Sequence, residues 1–121
     1  METISQTYEL KATPAAVFDA LINPETIQQW SGAPATMDSQ AGTEFSLFGG
    51  QIEGTNLEVV ANKKLVQQWP HQSKVTITLT DNGSTTTAEL KHEDIPEAEV
   101  DSFRQGWIDY YFGPMQKMFG G

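Results

Sequence analysis

The sequence predicts an α+β domain: a curved antiparallel sheet wrapped around a long C-terminal helix, in the order strand, two short helices, six strands, helix. Three observations lead there. Two cap-and-proline pairs, Thr13-Pro14 and Asn23-Pro24, announce helices near the N-terminus. Short alternating segments separated by turn residues run from Ala35 to His92. Six of the twelve aromatic residues then crowd onto one helical pattern between Val100 and Phe119.

The first strand is read over Thr3 to Lys11, with Ile4, Tyr8 and Leu10 on one face. Helices follow over about 14–21 and 24–30. Their buried pairs are Val17 with Leu21, Phe18 with Ile22, and Ile27 with Trp30. Six strands are then expected at approximately 35–39, 43–48, 51–60, 64–70, 74–81 and 84–92. Gly49-Gly50 suits a tight hairpin, and Asn82-Gly83 suits a type I′ turn with positive φ at both residues. Strands joined by such short turns must be antiparallel. Val75, Ile77 and Leu79 against Thr76, Thr78 and Thr80 mark a sheet with one covered and one wet face. Gly54 inside a strand suggests a bulge or bend.

The terminal helix starts near Glu97. At about 100° per residue, Val100, Phe103, Trp107, Tyr110, Tyr111, Pro114, Met115 and Met118 share one face. Ile108, Phe112 and Phe119 widen the apolar arc to roughly 200°, twice what docking on a flat sheet needs. The sheet must therefore curl around the helix, or a ligand or partner must help to cover it. Pro114 should bend the last turns, because its ring crowds the carbonyl of Tyr110.

A chain of 121 residues with 38% hydrophobic residues fits one compact domain, residues 1–121. Its net charge of -9 repels phosphate backbones and anionic membranes, so neither nucleic acid nor membrane is expected as a partner. Six acids between Glu89 and Asp101 read as a solvated loop leading into a helix N-terminus, or as a docking patch for a basic protein. The opening residues lack a secretory pattern and no long apolar run follows, so a cytoplasmic protein is expected. With no cysteine and only two histidines, neither thiolate chemistry nor a metal site is indicated. The Gly49-Gly50 pair fits no phosphate loop, and no nucleophile elbow occurs. No catalytic residue and no cofactor is assigned, and the chain is not expected to be an enzyme.

What stands out instead is aromatic surface. Trp30, Phe45, Phe48, Trp69, Trp107, Tyr110 and Tyr111 could line a ligand cleft between sheet and helix, or could simply form core. The hydroxyl of Tyr110 or Tyr111 should reach water or a cavity.

Several segments together resemble a known family. These are Trp30-Ser31-Gly32-Ala33-Pro34, Gly42-Thr43-Glu44-Phe45, Phe48-Gly49-Gly50-Gln51-Ile52-Glu53-Gly54, Leu65-Val66-Gln67-Gln68-Trp69, Ile95-Pro96 and Arg104-Gln105-Gly106-Trp107 with Tyr110-Tyr111-Phe112. In order and spacing they are similar to the C-terminal domain of the activators of heat shock protein 90 ATPase. The resemblance implies a helix-grip fold of the START-like superfamily and a heat shock protein 90 chaperone as partner. The surface expected to meet that partner comprises the Phe48-Gly49 hairpin and the exposed side of the terminal helix around Arg104 and Ile108. Carriage of a small hydrophobic ligand in the aromatic cleft is the alternative, and a cavity below about 300 Å³ would count against it. Enzyme action in the cleft would need a buried ionisable group with a strongly perturbed pKa.

Overall fold

A computed structural model describes residues 1–120. Six antiparallel strands form one sheet in the order β1-β6-β5-β4-β3-β2. The strands are β1 (Glu2–Leu10), β2 (Glu44–Leu47), β3 (Ile52–Val60), β4 (Lys64–Trp69), β5 (Ser73–Asp81) and β6 (Thr86–Ile95). Helices α1 (Pro14–Ile22) and α2 (Pro24–Ser31) connect the two edges of the sheet, and the C-terminal helix lies in its concave face.

Both short helices begin as their sequence requires. Thr13 accepts from the Ala16 amide and Asn23 accepts from the Glu25 amide, each just before a proline that needs no donor. Gly32 ends α2 in the left-handed region at φ 73, where a side chain would be strained. Val17, Phe18, Leu21, Ile27 and Trp30 are buried, and the Trp30 indole donates to the Ala20 carbonyl at 2.8 Å, tying α2 to α1.

The predicted alternation of β5 is present in its buried face, Val75, Ile77 and Leu79, while of the expected wet face Thr78 and Thr80 are exposed and Thr76 is half-buried. Four local expectations are corrected. The stretch 35–39 is no strand; it touches the sheet through one bridge, Thr36 to Ser46, before Met37 turns into the core. Five strands, not six, therefore separate α2 from the C-terminal helix. Asn82-Gly83 is not a type I′ turn, since of the two only Gly83 has positive φ. The Asn82 amide donates to the Thr85 carbonyl, closing a wider loop whose Asn82, Thr85 and Thr87 side chains donate to Glu9 of β1. These bonds favour the Glu9 carboxylate and lower its pKa. Gly49-Gly50 does not close a two-residue hairpin, because a 3-10 turn spans Phe48–Gly50, with left-handed φ of 56 at Phe48 and 68 at Gly49.

Gly54, the fourth, is not itself a bulge. A Cβ there would stand 1.9 Å from the Gln68 carbonyl oxygen and 2.8 Å from the Phe45 ring, so glycine is needed for close approach. The register shift of β3 lies further on, between Asn56 and Glu58.

The C-terminal helix changes its winding twice. After a 3-10 turn at Glu97–Glu99 it is α-helical over Val100–Gly106, a π-helix over Trp107–Phe112, and α-helical again over Gly113–Met118. The Gly113 amide donates to the Ile108 carbonyl, five residues back. A Cβ at Gly113 would lie 2.2 Å from that oxygen. The wide turn thus delivers Pro114 to the start of the last α-helical segment, where its missing donor matters least, instead of forcing a simple proline bend. It also rotates the aromatic face. Five steps from Trp107 to Phe112 put the two about 140° apart in an α-helix, but close to one face at the roughly 80° per residue of a π-helix. Phe112, expected beside the apolar face, is accordingly fully buried, and Tyr110, expected on that face, is 66% exposed.

Candidate functional site

Inward positions on β4 are Leu65, Gln67 and Trp69, and the last of these makes the floor of a cleft beside the C-terminal helix. Trp69 stacks on Trp107 with ring centroids 4.6 Å apart. Tyr111 lies 4.7 Å from Trp107 and 4.7 Å from Trp30, continuing the wall towards α2. Phe48, Gln51 and Ile52 from the β2–β3 connection and Ala33 after α2 face Ser102, Phe103, Gly106 and Tyr110 of the helix across the opening. The cleft, open to solvent, measures about 560 Å³, and no charged side chain lines it among the described residues.

Two buried polar chains hold the floor in place. Trp107 donates its indole N–H to His92 Nδ1 at 3.1 Å, so that nitrogen is the unprotonated one. Nε2 must then carry the proton and donate to Ser73 Oγ at 2.8 Å, while Ser73 donates to the Pro70 carbonyl. Burial pushes the His92 pKa down to about 4, keeping the ring neutral at physiological pH. On the other side Trp69 donates to Gln67 Oε1 at 2.8 Å, Gln67 donates to Asn56 Oδ1 at 2.9 Å, and Asn56 donates to the Asp38 carbonyl and the Thr43 hydroxyl. Both indoles of the floor are therefore fixed by side chains that cannot reach water.

Tyr111 differs from its neighbours. It is 2% exposed, burial alone raises its pKa, and among the described residues no side chain or backbone group pairs with its hydroxyl. No polar side-chain atom is both fully enclosed and unpartnered, so that hydroxyl opens into the cleft. At neutral pH it is a phenol that can donate a hydrogen bond.

Of the seven aromatics expected around a cleft, Phe48, Trp69, Trp107, Tyr110 and Tyr111 line it. Trp30 and Phe45 do not; they stand behind the wall, Trp30 against Tyr111 and Phe48, Phe45 against Trp69 and Gly54. The residues expected to meet a partner fall into two groups on opposite flanks of the helix. Phe48 lines the cleft at its rim, and Gly49 next to it is exposed. Arg104 belongs to the β1 flank, its carbonyl accepting from Gln6 and its guanidinium pairing with Asp101 at 2.8 Å, and Ile108, 43% exposed, follows one turn on. Glu97 and Asp101 are solvent-exposed at the start of the helix.

Sequence reasoning missed Phe103, Gln51, Ile52, Ser102, Ala33 and Gly106 on the lining, and the buried Asn56, Gln67, Ser73 and His92 beneath it. Gln67 and His92 could have been found, since each occupies an inward position in its strand's alternation. No three potential metal ligands converge among the described residues, and no helix there is long and apolar enough to cross a membrane.

An antiparallel sheet that grips its C-terminal helix and leaves an aromatic cleft beside it defines the helix-grip, START-like class. Within that class the chain belongs to the family described as Activator of Hsp90 ATPase homolog 1-like protein, whose profile matches residues 11–120. It is 30% identical over 124 residues to an uncharacterized protein of Schizosaccharomyces pombe, covering 97% of this chain and 37% of that protein. It is 27% identical over 125 residues to the human Activator of 90 kDa heat shock protein ATPase homolog 1, covering 98% of this chain and 36% of that protein. The chain thus spans about a third of the length of these curated relatives. Its fold superposes with a TM-score of 0.92 on the crystal structure of an HSP90 activator from Plasmodium falciparum, at 24% identity and covering 99% of this chain and 97% of that one.

Proposed function

We propose that this chain is a binding domain for a chaperone of the heat shock protein 90 family, in the cytoplasm, and that binding stimulates the chaperone's ATPase. The observation that carries the reading is the match, over nearly all of the chain, to relatives named as activators of that ATPase. A binding domain without catalytic groups can raise another protein's turnover by adding contacts to one of its conformations, which shifts the population by the difference in affinity. The helix flank with Arg104 and the exposed Ile108, together with the Phe48-Gly49 rim, supplies the surface. Titration of isotope-labelled protein with the chaperone, with and without a non-hydrolysable ATP analogue, tests this through backbone amide shifts. Shifts at the Arg104 and Ile108 flank and at the Phe48-Gly49 rim, strengthened by nucleotide and lost in Arg104→Glu, are expected. An unchanged spectrum at tens of micromolar chaperone would end the chaperone reading.

A second reading, binding of a small hydrophobic ligand, is favoured by one specific observation. The cleft of about 560 Å³ exceeds the lower size of small-molecule sites, about 300 Å³, and most of its wall is aromatic. The two readings share Phe48 at the cleft rim, while the helix flank with Arg104 and Ile108 belongs to the chaperone reading alone.

A further inference from the structure

An aromatic cleft alone fixes neither the shape nor the polarity of what enters it, but the distribution of polar groups in this one does. Gln51, Ser102 and Tyr110 lie at the exposed rim, where water satisfies them. Deeper in, the indoles of Trp69 and Trp107 already donate to Gln67 and His92. The hydroxyl of Tyr111 is the exception: the residue is buried and lines the cleft, its hydroxyl has no protein acceptor among the described residues, and that oxygen is not sealed from the cleft. An occupant that covered this hydroxyl and kept water from it without offering an acceptor would leave it unpartnered, at a cost of about 1–3 kcal/mol, so one that reaches it with an acceptor is preferred. Charge is excluded for a separate reason. No lysine, arginine, aspartate or glutamate lines the cleft among the described residues, so an ion of either sign would be desolvated without a counter-charge.

The geometry points to a planar, uncharged aromatic molecule with one hydrogen-bond acceptor as the occupant, its ring among Trp69, Phe103 and Trp107 and its acceptor on the Tyr111 hydroxyl. This rests on the ligand-binding reading and narrows it. Phe48, Trp69, Phe103, Trp107, Tyr110 and Tyr111 make the lining mostly aromatic, and a flat ring laid against such a wall can form the offset-stacked or tilted contacts that aromatic rings prefer. Nothing in the inference requires the chaperone.

Three matched probes test it: 2-acetylnaphthalene, whose ketone is an acceptor; 2-ethylnaphthalene, which lacks one; and 2-naphthoate, which is charged. Binding is followed through the indole N–H signals of Trp69 and Trp107, with Trp30, whose indole is held by Ala20 behind the wall, as the internal reference. The ketone should bind about fivefold more tightly than the hydrocarbon, the value of one neutral hydrogen bond, and the carboxylate more weakly than either. Tyr111→Phe, which removes only the hydroxyl, should abolish the preference for the ketone over the hydrocarbon. Equal affinities in the wild type, a preference that survives Tyr111→Phe, or tightest binding of the carboxylate would overturn the inference and leave the ligand-binding reading intact. If none of the three moves the two indole signals, the ligand-binding reading falls with it.

Discussion

Along β1 the C-terminal helix is fastened by both polar and apolar contacts. Gln6 donates to the Arg104 carbonyl at 3.2 Å, Tyr8 stacks on Phe112 at 4.4 Å between centroids, and Gln116 donates to the Glu9 carbonyl at 3.0 Å. Along β4 and the β2–β3 connection the same helix meets the sheet through the rings of Phe103, Trp107 and Tyr111, and the cleft opens beyond them. Side-chain bonds to backbone carbonyls fix a distance, whereas ring faces can slide and separate with little directional cost. The helix is therefore held by hydrogen bonds along β1 and, through Trp107 to His92, on β6, and meets β4 and the β2–β3 connection through ring contacts.

That contrast can be broken most forcefully at Phe112. Phe112→Ala removes a fully buried ring from the fastened flank and should cost about 3–5 kcal/mol in urea unfolding. A loss below about 1 kcal/mol would mean that the Tyr8 stack does not secure the helix. Second in size is the acid response of the floor. His92 has a folded pKa of about 4 against 6.5 in the open chain, so the unfolded state binds the proton more readily. The stability it contributes is complete above pH 6.5 and falls as pH drops from 6.5 to about 4, by on the order of 3 kcal/mol. The difference between stability-pH curves of wild type and His92→Asn should isolate this slope, and parallel curves would refute it.

Trp107→Phe comes third. It keeps a ring in the floor but leaves His92 Nδ1 without its donor, which should cost about 1–3 kcal/mol. The change should also raise the His92 pKa, readable from the imidazole signals. Smallest is Phe48→Ala on the open flank. Phe48 is half-buried at the rim, so unfolding should change by less than about 1 kcal/mol while the Trp69 indole signal shifts and naphthalene binding weakens. A stability loss like that of Phe112→Ala would show that the open flank is structural after all.

Much of this architecture was legible because local signals agreed with it. Thr13-Pro14 and Asn23-Pro24 mark their helix starts, and Val75, Ile77 and Leu79 show which face of the sheet is covered. The winding of the terminal helix was not legible, because an angular projection presumes 100° per residue and nothing in Trp107-Ile108-Asp109-Tyr110-Tyr111-Phe112 contradicts it. For that reason Tyr110, expected on the apolar face, is exposed, and Phe112, expected at its border, is fully buried. Five of the seven expected aromatics do line the cleft, since strand and helix periodicity bring them to one side. What set Trp30 and Phe45 back is tertiary: α2 folds its indole onto α1, and Gly54 lets Phe45 sink against the strand backbone.

The wide turn at Trp107–Phe112 lets one helix serve two neighbours that no straight helix could face together. Its first half is phased to β4 and β6 through Trp107, and its second half to β1 and α2 through Phe112 and Met115. An engineer who idealised this segment into regular α-helix would improve every local propensity and lose one of the two docking partners. The productive edit runs the other way. Transplanting Trp107 to Pro114 as a block should carry the phase offset with it, because Gly113 and Pro114 encode the offset together.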